Sequence, residues 1–158
     1  MLFRITGLSP GPFRHLSGLS DAESSARGVG RHVADASPDY PDRIELGDAR
    51  PGESVLLRND LHQPACSAYR SSHVIYVLEG ARKRYDGIDE IPEALRTRLI
   101  APRGFSAAGQ IQDAEICPGD SLEALIERML ANPTVSYIHA HYAKPGCFAA
   151  RIDRVGSA

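Results

Sequence analysis

Residues 136–154, SYIHAHYAKPGCFAARIDR, alternate polar and apolar side chains on both sides of a Lys-Pro-Gly turn. Successive side chains of a strand point to opposite faces. His139 and His141 therefore project together, and Ile138, Ala140 and Tyr142 project the other way. The second arm offers Cys147, Ala149 and Arg151 on one face, and Phe148, Ala150 and Ile152 on the other. Two alternating arms describe an antiparallel hairpin with one apolar face, and such a face needs a second layer to cover it. A loop of Lys144–Gly146 sets Ala143 against Cys147 and His139 against Arg151, which gathers His139, His141, Cys147 and Arg151 on one surface. A one-residue slip would exchange that arm's faces. The polar-with-polar register is expected, because the alternative buries Arg151 beside Ile138.

The covering layer is legible upstream. Leu122, Leu125, Ile126, Met129 and Leu130 follow helical spacing after Asp120 and Glu123, and Asn132-Pro133 ends the run. A stripe of that kind lies on a sheet. A shorter helix is expected after SDAE at 20–23, where Ser20 and Glu23 form a capping box and Gly28 stands ready as the stop. Another is expected from Pro92, with Leu95 and Leu99 on one side. Strands are expected at Phe3–Thr6, Arg43–Leu46, Ser54–Arg58, His73–Leu78, Leu99–Ser106, Gln110–Cys117, Ser136–Ala143 and Cys147–Arg154. Helices scattered singly among strands joined by short turns predict an α+β fold with a largely antiparallel sheet, about three helices on it, and a terminal β-hairpin. The stretch Val29–Arg50 reads as a long surface loop.

With 158 residues, 42% of them hydrophobic and 24% charged, the chain reads as one globular domain over 1–158. The net charge of −2 lacks the basic excess that phosphate backbones demand, so no nucleic-acid partner is expected. The cations of ARKRY at 81–85 meet Asp86, Asp89 and Glu90 and read as a solvated turn. The opening residues, MLFRITGLSPGPF, carry no long apolar run, so neither a secretory signal nor a membrane association is expected. Cys66, Cys117 and Cys147 are odd in number and unpatterned, which suits a reducing cytoplasm better than a disulfide framework.

Three chemistries fit the hairpin cluster. A histidine beside Cys147 would activate the thiol to attack an acyl or similar carbon. His139 and His141 would supply two nitrogens to a metal, with His62, Cys147 or an acid completing the shell. In the third reading the histidines are hydrogen-bonded structural residues and the cysteine is a small hydrophobe. A second polar segment, RNDLHQPACSAYRSS at 58–72, holds Asn59, His62, Gln63, Tyr69 and Arg70 between two expected strands. Loops so placed concentrate binding groups. Packed beside the hairpin, the segment would complete a donor-rich pocket for a small anionic or carbonyl-bearing ligand.

The pieces FRITGLS, LLRNDLHQP, YRSSHVIYV and YIHAHYAKPGCFAARIDR resemble a bacterial family of uncharacterised proteins, domain of unknown function 1203, over residues 3–154. The resemblance places His62, Gln63, His139, His141, Lys144, Gly146, Cys147 and Arg151 at motif positions, and it implies no activity. It also marks a departure, since Tyr142 stands where the family pattern reads asparagine. The expectation is thus a small-molecule binding protein. Its catalytic candidates are His139, His141 and Cys147, and its ligand-binding candidates are Asn59, His62, Gln63, Tyr69, Arg70, Lys144 and Arg151. No cofactor follows from the residues. The competing expectations are an interaction protein acting as a homodimer and a histidine-based metal site.

Overall fold

Ten strands pair antiparallel in two sheets in the computed structural model, which describes residues 2–156. The larger sheet contains β1 (Phe3–Thr6), β5 (Asp86–Ile88), β6 (Leu99–Phe105), β7 (Ile111–Ala114), β8 (Cys117–Pro118), β9 (Tyr137–Tyr142) and β10 (Phe148–Arg154). Its strand order is β5-β1-β10-β9-β6-β7, with β8 also paired to β6. The smaller sheet, in the order β2-β3-β4, contains β2 (Gly30–Val33), β3 (Ser54–Gln63) and β4 (Ser71–Leu78). The expected α+β class is the one found, with the sheet divided in two.

One face of the larger sheet is apolar. Phe3, Ile5, Ile100, Ile138, Ala140 and Ile152 share it, and α3 (Leu122–Ala131) lies against it with Leu122, Ile126, Met129 and Leu130 buried. Each such side chain contributes roughly 1.5–3 kcal/mol on burial, so this stripe anchors the helix. The helix ends at Asn132, as the sequence spacing predicts. The helix α1 (Asp21–Ala26) has the expected capping box, with Glu23 N donating to Ser20 Oγ and Ser20 N donating to the Glu23 carboxylate. The helix α2 (Glu93–Arg96) stops before Leu99, which opens β6 instead.

Two expectations are corrected. Arg43–Leu46 is a turn, because the Asp42 carboxylate accepts hydrogen bonds from the amides of Ile44, Glu45 and Leu78 that a strand ladder would otherwise use. Asn59–Gln63 belongs to β3 and not to a loop; the strand continues past a register shift between Asp60 and Gln63. The short strands β2 and β5 were hidden within segments read as a loop and a charged turn.

The Arg43 turn is bolted to both sheets' surroundings. Its backbone donates to Tyr76 O of β4, and its carbonyl accepts from Leu8 N just beyond β1. Gly7 makes this approach feasible, since a β-carbon there would lie 2.1 Å from Ile44 O.

Candidate functional site

The β9–β10 hairpin places two different chemistries on its two faces. Arg151 pairs with His139, as the alternation predicts, but Phe148 pairs with His141. The extra residue is a bulge between Phe148 and Ala150, which leaves consecutive Ala149 and Ala150 both in the helix-side core. The bulge corrects one expectation: Cys147 does not share the face of the histidines. Cys147 closes the hairpin opposite Tyr142, whose N–H donates to Cys147 O, and its side chain joins the helix-side face. Gly146, with φ 77°, supplies the left-handed residue the turn requires, and its N–H donates to Tyr142 O.

On the other face lies a layer of imidazoles and aromatic rings. His62, from the end of β3, reaches over the larger sheet so that its ring lies 5.2 Å from His141 and 6.1 Å from His139. Phe148 sits among all three, stacked on His62 at 5.2 Å and edge-on to His139 and His141. Gln63 Nε2 donates to Tyr137 Oη at 3.0 Å, fastening the two sheets together. His141 Nδ1 lies 2.9 Å from Gly146 O, and a carbonyl only accepts, so this nitrogen carries the proton. His139 Nδ1 is buried without a partner among the described residues.

Burial is the leading cause holding all three imidazoles neutral. It pushes His62 down to about 4, and His139 and His141 down to about 3. Arg103, facing His139 across β6 and β9, is half-buried and forms no ion pair among the described residues. Arg151 is better served, lying 4.2 Å over the Tyr137 ring and binding Asp153 through Nε and Nη2.

The hairpin's other face opens on a cavity of about 660 Å³, within the usual range of roughly 300–1,000 Å³ for ligand sites. Tyr142, Cys147 and Lys144 form its hairpin wall, Tyr76 and His73 come from β4, and Arg43 and Arg98 close it. Arg43 is only 2% exposed. It donates through Nε to Phe148 O at 2.9 Å, through Nη1 to Pro41 O and through Nη2 to Cys147 Sγ at 2.8 Å. None of these partners is a carboxylate. The Tyr142 ring lies 4.8 Å from the Arg43 guanidinium and 5.3 Å from that of Arg98. Its hydroxyl is buried without a hydrogen-bond partner among the described residues, and burial pushes it up to about 12. Arg98, unlike Arg43, has its own counter-charge in Asp48.

The structure thus brings His62, Gln63, His139, His141 and Arg151 together, and it sets Cys147 and Lys144 on the cavity side. The remaining candidates are dispersed. Asn59 pairs with Val74 in the smaller sheet, Tyr69 packs edge-on to Phe105 at 6.3 Å, and Arg70 turns back to donate to Pro64 O. Among the described residues, no group of three or more His, Cys, Asp or Glu side chains is arranged to hold a metal ion. No helix among them is long and apolar enough to cross a membrane. Sequence reasoning missed Arg43, Arg98 and His73. The one signal within reach was Asp42-Arg43 beside Pro41, a turn former followed by a cation.

An α+β protein with an imidazole layer and a cation-lined cavity on opposite faces of one hairpin is thereby defined. The family model described as protein of unknown function, DUF1203, matches residues 39–154, and the chain belongs to that family. The match takes in both faces of the hairpin and begins after β1, α1 and β2, later than the resemblance at Phe3 implied. Neither a curated protein nor a solved structure matches the chain.

Proposed function

We propose that this protein binds a small anionic molecule in the cavity beside Tyr142 and Cys147. The observation that carries the reading is Arg43, a buried guanidinium on the cavity wall that has no carboxylate partner among the described residues. A buried charge is stable only when paired, and two carbonyls, a sulfur and one ring face satisfy it incompletely. Each terminal nitrogen of Arg43 keeps a second N–H for a ligand oxygen. Lys144, exposed at the rim, adds a cation that steers an anion inward. Tyr76, Leu57 and Val74 supply the apolar wall that a small organic acid would cover.

The test is calorimetry with the intact chain against a panel of small mono- and dicarboxylates and inorganic phosphate. At least one is expected to bind, with affinity falling about tenfold in Lys144→Glu and further in Arg43→Lys. Affinity is expected to stay unchanged in His139→Gln, which touches only the other face. Binding by none of the panel, or binding indifferent to Lys144→Glu and Arg43→Lys, overturns the reading.

A further inference from the structure

We infer that Cys147 is a modification site, a thiol built to react with small hydroperoxides. Three features of the cavity wall bear on its sulfur. Arg43 Nη2 donates to Sγ at 2.8 Å from a guanidinium that is 2% exposed, so a fixed positive charge faces the sulfur in a site screened from water. That is the electropositive setting in which cysteine sulfur becomes a nucleophile. Tyr142, 3% exposed, stands beside it with an unpartnered hydroxyl. That hydroxyl stays protonated at neutral pH and is available as a donor. The cavity gives a small molecule access to a thiol that is itself 7% exposed.

The step balances without a cofactor. Sγ attacks the terminal oxygen of the hydroperoxide; the S–O bond forms as the O–O bond breaks. The sulfur is oxidised by two electrons to the sulfenic acid, and the hydroperoxide is reduced to its alcohol, or to water for hydrogen peroxide. The thiol proton ends on the departing oxygen, whose developing negative charge meets the second N–H of Arg43 and the Tyr142 hydroxyl. A small thiol returns the sulfenic acid to cysteine by way of a mixed disulfide. Cys66 and Cys117, also free, have no such guanidinium contact, and burial pushes the Cys117 thiol up.

The experiment treats the reduced full-length protein with hydrogen peroxide in the absence of any added anion. Sulfenic acid is trapped with dimedone and quantified separately at the three cysteines by peptide mass spectrometry. Cys147 is expected to label about tenfold faster than the exposed Cys66, the advantage vanishing when the chain is unfolded in urea. Arg43→Lys and Tyr142→Phe are each expected to slow Cys147 while leaving Cys66 unchanged. If Cys147 reacts no faster than Cys66 in the folded protein, or keeps its advantage in urea or in Tyr142→Phe, the inference is wrong. Because no anion is present, these rates do not depend on whether the cavity takes a carboxylate.

Discussion

The two faces of the β9–β10 hairpin are built from similar polar residue types and solve opposite problems. On one, three imidazoles are packed so closely around Phe148 that they lose their charge. On the other, a guanidinium is almost completely buried and a cavity is left beside it. The difference is one of chemistry. Imidazole escapes the desolvation penalty by giving up a proton, whereas guanidinium cannot and must find acceptors. A layer of imidazoles can therefore pack as a core, whereas a buried guanidinium has to be supplied with acceptors.

The largest expected effect comes from acid. The three histidines have folded values of about 3 to 4 against an ordinary 6.5, so between those limits the unfolded chain binds more protons than the native one. Stability is complete above pH 6.5 and falls as pH drops through this window, by about 2 kcal/mol for each histidine on reaching pH 5. Urea unfolding at pH 7 and pH 5 measures the drop. His141→Gln is expected to make it shallower, and an unchanged pH slope in that variant would show that the layer is not what titrates.

Next in size is Phe148→Ala, which removes the ring around which the imidazoles stack and costs about 3–5 kcal/mol. Its carbonyl remains to hold Arg43, so anion affinity in the folded variant is expected to persist. Loss of affinity at full folding would mean that the faces are not separable. Tyr142→Phe carries the opposite sign. Deleting a buried hydroxyl that has no partner raises stability by about 1 kcal/mol, read from the denaturant midpoint. A destabilised Tyr142→Phe would reveal a partner for that hydroxyl. Comparable in size is Ser20→Ala, which removes the α1 cap, costs about 1 kcal/mol, and is expected to leave both the acid slope and Cys147 labelling untouched.

How much of this was readable beforehand depended on how local each signal was. The α3 stripe, the α1 capping box and the alternation of β9 are short-range patterns that packing reinforced. His62 beside His139 and His141 was anticipated as a conditional juxtaposition, and the coordinates bring the rings together. The cavity was not anticipated, because Arg43 contacts Cys147 across 104 positions of sequence. No pattern confined to one segment reports such a contact. Arg43–Leu46 has the aliphatic composition of a strand, and only the Asp42 carboxylate, which captures the local amides, makes it a turn.

The bulge in β10 has a consequence for comparing related chains. It works as a phase shifter: alternation counted back from Arg151 and forward from Gly146 disagree, and the disagreement is absorbed at Ala149. A single-residue deletion there would remove the bulge and leave the thiol and the phenyl ring on the faces they now occupy, whereas ironing the bulge out with Ala149 retained would exchange them. In any relative, then, a one-residue gap at the bulge, between the phenylalanine and the arginine of this motif, preserves the chemistry of both surfaces, and a length match there does not by itself say which way the thiol points.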